Sequence, residues 1–422
     1  MHATGGLALL AAALGFGCTS GGGAGGAAAR TRDSAGVHIV ENSGEAWGRG
    51  QGWIVADTPL VDIGGKGGDP AYELEQVIGP VRWSDGRLAI ALPSSGEVRI
   101  YDAKGVHLRS TGQRGSGPGE FQNIAGLWLG PGDSLLVSDP LARRLTVLDR
   151  EGNLGRTISL AGQGGFTMGA GGSVSLALAA GWFADGSVLA LLQGFRINDP
   201  RQGPHRDTIA FVRYAPDGSA LDTIGRFPGM EMDQMTITFG ARSVAAPSPV
   251  PLGRQTASVV RGERVYLARN EAWEIEVRSG GGSLTALFRA DVKPAPVTAA
   301  DAEASRKELG DALDGQPMLR AMPEAIKTQM KQRIESARYP ETFPFVLSLL
   351  ADTDGNLWVE EPKVSGTEQR RFAVVDSAGR LLGRVTLPPR FKPAAITHDA
   401  VFGVWTDPDD VQHLRGYPLR KP

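Results

Sequence analysis

One tight turn repeats along this chain, and the repetition limits the fold more than any other feature. A short polar turn between two β-rich runs stands at Trp83-Ser84-Asp85-Gly86-Arg87, Gly130-Pro131-Gly132-Asp133-Ser134 and Phe183-Ala184-Asp185-Gly186-Ser187. It returns at Arg261-Gly262-Glu263-Arg264, at Thr353-Asp354-Gly355-Asn356 and, degenerately, at Thr397-His398-Asp399-Ala400. Six hairpins in series imply six small antiparallel sheets.

The period is clearest in residues 77–111 and 124–160. Leu88 aligns with Leu135, Ile100 with Val147, Asp102 with Asp149 and Gly105 with Gly152, at a constant offset of 47 residues. A second turn recurs late in each unit, at Asp102…Gly105, Asp149…Gly152, Pro216-Asp217-Gly218, Ser279…Gly282 and Asp376…Gly379. Asp opens such turns by accepting from its own backbone, and Gly supplies positive φ. Units of this length, each with four short strands, predict an all-β, six-bladed β-propeller of four-stranded antiparallel blades. The blades are expected near 77–111, 123–160, 173–225, 254–290, 345–387 and 394–417. The last has three strands of its own, so an N-terminal strand, Val37–Val40 or Leu60–Ile63, must complete it and close the ring.

Composition narrows the function. Charged residues make up 21% of the chain and the formal net charge is -2, so no basic excess exists to neutralise phosphates and nucleic-acid partners are excluded. Glycine accounts for 58 of 422 residues, about double the usual share of about 7%, and much of the excess sits in turns. Residues 7–17 form an apolar run too short to span a bilayer but suited to a signal-peptide core, and it ends at Cys18, the only cysteine. A Gly- and Ala-rich tether follows. This layout resembles a bacterial lipoprotein signal, which implies export, a lipid on Cys18 and a place in the cell envelope. Two alternatives stay open: a secretory signal cut near Ala27-Ala28-Ala29 that discards Cys18, and a cytoplasmic chain. The expected organisation is a signal at 1–17, a tether at 18–34 and one propeller domain at 35–422.

The linker Gly112-Gln113-Arg114-Gly115-Ser116-Gly117-Pro118-Gly119-Glu120-Phe121 precedes the second unit, and Gly64…Pro70 with Glu73-Leu74 precedes the first. Such a Gly-rich loop ending in Gly-Glu-Phe, with Asp139 and Arg144 after it, resembles the linker of NHL-type repeats. The whole chain resembles the six-bladed propeller lipoproteins of bacteria. In NHL-like proteins these loop and Asp/Arg residues are mainly architectural, so the resemblance implies fold and leaves activity open.

Strand alternation places the tight turns on one face and the long connections on the other. Residues 194–208, 226–254, 290–344 and 361–370 all fall in the second set. One-sided elaboration predicts a binding face. Within the third segment, Thr298 and Asp301 resemble a capping box, and Ile326, Met330, Ile334 and Ala337 recur at helical spacing. A helical insertion over 298–339 is therefore expected between blades four and five, lying on that face as a partial lid. A protruding partner-binding helix is the rival placement.

Candidate binding residues on this face are Arg114, Arg143, His205, Arg206, Asp207, Arg254 and Arg269, with the His205–Asp207 group placed in a loop. Arg suits bidentate carboxylate or phosphate contacts. The Trp residues at 83, 128, 182, 273, 358 and 405 are read as core. The six histidines show no local metal-ligand spacing, and no nucleophile elbow or phosphate loop occurs. No metal site or cofactor is assigned, although ligands drawn singly from several blades would fit a channel-bound divalent cation. The expectation is a monomeric, lipid-anchored recognition module for a small-molecule or protein ligand, contacting the membrane through its anchor alone. The alternatives are a metal-dependent hydrolase or lyase of the lactonase or amidating-lyase kind, and a scaffold in an envelope complex.

Overall fold

The computed structural model describes residues 29–65, 67–160, 166–168, 173–239, 241–315 and 323–422. The signal-like run and Cys18 lie outside the described residues. Strands gather into six sheets. The first holds Ile78–Arg82, Leu88–Leu92, Glu97–Tyr101 and His107–Thr111; the second holds Gly126–Leu129, Leu135–Asp139, Arg144–Leu148 and Leu154–Ile158. The fifth holds Leu349–Ala351, Leu357–Glu360, Arg371–Val375 and Leu381–Thr386. The first long strands of the six sheets touch in chain order, and Phe391–Ile396 of the sixth touches Ile78–Arg82 of the first. The cycle is closed, and the chain is a β-propeller.

Alternation along the strands explains the closure. In Leu88–Leu92, the side chains of Leu88, Ile90 and Leu92 face the sixth sheet and those of Ala89 and Ala91 face the second. Leu135 and Val137 pack back on the first sheet while Leu136 packs forward on the third. Leu357 and Val359 meet the fourth sheet, and Trp358 meets the sixth. Six separate apolar clusters result, one between each pair of neighbouring sheets. Sheets covered on both sides need near-continuous apolar strands, which is why these runs show little polar alternation. Trp83, Trp358, Trp273 and Trp182 are buried in these seams, whereas Trp128 and Trp405 are half-buried.

Val61–Ile63 completes the sixth sheet by pairing with Gln412–Arg420, and Ile54–Val55 adds to the same strand. The second of the two N-terminal candidates therefore closes the ring. Val37–Asn42 instead runs parallel to Leu284–Ala290 on the outer edge of the fourth sheet. The rest of the segment placed in the tether from sequence lies outside the described residues, but its last part, Ala29–Ser34, forms a hairpin with Val37–Asn42. Ala35 and Gly36 turn it with φ of 50° and 80°, the positive pair that two-residue hairpins favour.

The connection 226–254 is built as a hairpin: Ala220–Phe239 is one long strand that folds back on Arg242–Pro249. One further reading is corrected. His205, Arg206 and Asp207 open the strand His205–Tyr214, so they do not lie in a loop. The long strand pairs with this one in a register that shifts three times, which lets both run beyond the body of the third sheet. The helical segment forms α1 (Ala299–Gly315) and α2 (Glu324–Glu335). Among the described residues no helix is long and apolar enough to cross a membrane.

The repeated turns do the expected local work. Asp102 Oδ1 accepts from the N–H of Lys104 at 2.9 Å and of Val106 at 2.8 Å. Gly105 closes that turn at φ 85°, and a Cβ there would stand 2.8 Å from Ile63 of the closing strand. Asp139 is fully buried and accepts from the N–H groups of Gln122, Ala142 and Asn123 at 2.6, 2.9 and 3.2 Å. Arg144 donates to the carbonyls of Ser116, Gly117 and Glu120. The pair thus pins the incoming linker to the second sheet. Replacing Asp139 by Ala leaves three donors short and is expected to destabilise the protein by about 3 kcal/mol, with Asp139→Asn costing less because one acceptor oxygen survives. Urea unfolding midpoints of the two variants check this order.

Candidate functional site

The connections of the fifth and sixth sheets build a cleft on the loop-rich face. Glu360 ends the strand Leu357–Glu360 and is buried. Its carboxylate accepts from Ser348 Oγ at 2.5 Å and pairs with the Arg370 guanidinium, across the neck of the 361–370 loop. Below that neck the Glu361 N–H donates to Arg371 O at 3.0 Å, and the Leu387 N–H donates to Arg370 O at 2.9 Å. The loop is therefore tied both to its own sheet and to the crossover that carries Arg390 and Lys392. Arg390 holds φ of 59° and reaches Asp410 at 3.4 Å.

A cavity of about 1110 Å³ opens between these elements and the ring centre. Lys363, Arg370, Arg390 and Lys392 line it, with Glu368 as its one carboxylate. Its floor comes from Val77, Ile78 and Gly79 of the first sheet, Ala125 before the second, and Pro393 and Ala394 of the sixth. Gln412 Oε1 accepts the Val77 N–H at 2.8 Å, which joins the closing sheet to the first sheet at the cavity wall. Lys363 and Lys392 are exposed, and neither has an ion-pair partner among the described residues. Arg370 is paired with Glu360 and Arg390 with Asp410, so the cationic character of the cleft rests on Lys363 and Lys392, which can draw an anion toward it.

A second cavity of about 510 Å³ shares Lys363, Glu368 and Arg370 with the first and runs under α1. Thr298 and Asp301 cap that helix reciprocally: Asp301 accepts from the Thr298 N–H at 2.8 Å, and the Asp301 N–H donates to Thr298 Oγ1 at 3.2 Å. The other oxygen of Asp301 accepts the Ser365 N–H at 2.5 Å. One carboxylate thus caps the helix and clamps it to the tip of the 361–370 loop. Further along the insertion, Gln329 of α2 exchanges hydrogen bonds with the backbone of Thr238, and Arg333 reaches Asp233 at 3.3 Å. The helices lie on the loop-rich face, held between the long hairpin and the fifth sheet. Ile326 is buried on the inner side of α2, with Met330 and Ile334 half-buried beside it.

The residues singled out from sequence do not converge on these cavities. Arg206 is half-buried and donates to the carbonyls of Gly229, Arg269 and Pro228 at 2.8, 3.0 and 3.1 Å. Burial, together with nearby Arg254, pulls its guanidinium below the ordinary value. Asp207 pairs with Arg201 at 2.7 Å, and His205 Nδ1 lies 3.0 Å from Gly203 O. Arg254 stands 3.5 Å from Glu231, and Arg269 stands 3.0 Å from Glu276. Arg114 reaches Ser94 O at 3.4 Å, and Arg143 sits in a bend at φ 54° beside Asp139 and Arg144. The cavity cations escaped the sequence reading because Lys363 and Arg370 sit in a loop with as many acidic as basic residues, and Arg390 and Lys392 lie in a distant segment; the available signal was Arg390-Phe391-Lys392. Among the described residues no group of three or more His, Cys, Asp or Glu side chains is placed to hold a metal ion.

No protein-family model matches the chain, and no curated protein matches it in sequence. Solved structures resemble it in chain course. A member of the DUF4221 family from Bacteroides vulgatus superposes with a TM-score of 0.48 at 9% identity, covering 88% of this chain and 98% of that one. A virginiamycin B lyase from Staphylococcus aureus gives 0.36 at 9%, covering 87% and 99%. A calcium-binding protein, regucalcin, from Agrobacterium tumefaciens gives 0.36 at 10%, covering 88% and 95%. At these values the likeness carries neither family nor activity to this chain.

Burial alone would raise the Asp301 carboxyl, but the hydrogen bonds from Thr298 and Ser365 outweigh it and hold the group below its ordinary value of 3.8. A depressed carboxyl contributes stability above its unfolded value, and that contribution is lost as pH falls through the folded one. Docking of α1 is therefore expected to be constant above about pH 5 and to weaken as pH drops below 3.8. Proteolysis within 299–315 as a function of pH checks this. Asp301→Asn should raise cleavage at neutral pH and remove the acid dependence.

Proposed function

We propose that this chain is an exported six-bladed propeller, anchored by a lipid on Cys18, whose loop-rich face binds an anionic ligand. The observation that carries the reading is the convergence of Lys363, Arg370, Arg390 and Lys392 on one cavity. A volume of about 1110 Å³ lies just above the roughly 300–1,000 Å³ typical of small-molecule sites, a scale that suits a small organic anion rather than a folded partner. The six-bladed reading draws on the six sheets and their cyclic contacts, with four-stranded units in the first, second and fifth sheets. The linker pinned by Asp139 and Arg144 supports kinship with NHL-type repeats.

Titration with citrate, using glycerol as a neutral control, tests the anion reading. Thermal stability should rise with citrate, by about 2.7 kcal/mol at a hundredfold excess over the dissociation constant. The rise should vanish in an Arg390→Glu, Lys392→Glu double variant, which separates site binding from the general salting effect of citrate. An equal rise in both proteins, or none in either, sinks the reading.

A further inference from the structure

We propose that the ligand of this face is an amphipathic monoanion: a carboxylate head held by Lys392 and Lys363, beside the paired Arg390 and Arg370, and an apolar chain lying beneath α1. This rests on the anion reading above and adds the chemistry of the ligand's other half. The two cavities adjoin at Lys363, Glu368 and Arg370, and the proposed ligand spans that boundary.

The smaller cavity carries an apolar strip of Leu252, Phe343, Pro344, Leu347 and Val364 beside the polar Asp301, Glu308, Ser365 and Thr367. Val364 is 38% exposed at the tip of the loop, an apolar side chain left in water where a ligand chain would cover it. Leu252 holds φ of 58°, a costly conformation for a bulky side chain, in the turn closed by the Gly253 N–H on Val250 O at 3.0 Å. Strain of that kind persists where the surrounding structure keeps a side chain in one place, and here that place is the wall of the cleft.

Charge fixes the direction of the ligand. Carboxylates line the helix end of the path: Glu308 is exposed at its rim, and Asp301 is committed to Thr298 and Ser365. Arg390 and Lys392 lie only in the larger cavity. An anionic head is therefore repelled from the helix end and drawn toward the ring centre, while a chain leaving it passes Arg370 and runs under α1.

Calorimetric titration of the full chain with butyrate, octanoate and 1-octanol tests this. Four more methylenes, even half-buried, should make octanoate bind about tenfold tighter than butyrate or better, with octanol weaker than octanoate. Lys392→Glu should weaken both carboxylates. Val364→Ser, which removes apolar area without adding a charge beside Lys363, should weaken octanoate more than butyrate. Equal affinity for butyrate and octanoate overturns the apolar half while the anion reading stands. Octanol binding as tightly as octanoate overturns the anionic head. Octanoate binding that ignores Val364→Ser overturns the placement under α1. Binding of neither carboxylate overturns this inference, and the citrate titration then decides whether the anion reading stands.

Discussion

Three residues from the N-terminal region, Val61–Ile63, complete the sixth sheet against Gln412–Arg420, at the two ends of the ring. The paired segment is short, yet it covers the edge that Gln412–Arg420 would otherwise leave open in the sixth sheet. Asp62 reinforces it across 351 residues of chain, accepting from His413 at 2.8 Å and from Arg415 at 2.9 Å. Ile63 is then wholly buried among Leu88, Ile90 and Leu414, and Gly105 leaves the space it needs. Without this pairing the sixth and first sheets lose their shared apolar cluster. The cavity loses its wall as well, since Gln412 and Val77 meet only because the ring is closed.

The repeat was legible because its turns are chemical. An Asp that accepts from its own backbone and a Gly at positive φ leave a local mark whatever packs around them, as at Asp102–Gly105 and Asp149–Gly152. The buried strands were legible as β but not as partners, because Leu88–Leu92 is apolar on both faces and carries no sign of which neighbour each side meets. The choice of closing strand was undecidable for the same reason. Val37–Asn42 and Val61–Ile63 are both short β-branched runs, and the difference lies in what sits opposite them in space. The stretch 226–254 concealed its hairpin because Pro, Gly and Met are common there, and its strands gain their order from pairing with each other rather than from a β-rich composition.

The candidate site was legible as a face and not as residues. Polar side chains on that face were sought in local groups, and the group His205–Asp207 turned out to serve the hairpin that carries it. Arg206 binds three carbonyls, and Asp207 binds Arg201. The cavity is instead assembled from two distant segments, Lys363 and Arg370 from one loop, Arg390 and Lys392 from the start of the sixth sheet. Each alone has the appearance of a solvated charge. Only the closed ring brings them within one volume, so the sequence could hold their identity but not their convergence.

The asymmetry between the two faces has a physical origin in the turns themselves. On the plain face each hairpin is closed by a few backbone bonds, as where the Trp83 N–H donates to Arg87 O and the Gly86 N–H to Trp83 O, both at 3.0 Å. An inserted residue there would shift the register of the innermost strands and turn their buried side chains outward. The opposite connections leave from strand ends where register is already set, so length can be added at the small cost of loop closure. Added length becomes a site only if it is held, and here Glu360 holds the neck of the 361–370 loop while Asp301 holds its tip. The fold thus confines growth to one face, and two buried carboxylates fix that growth in one shape.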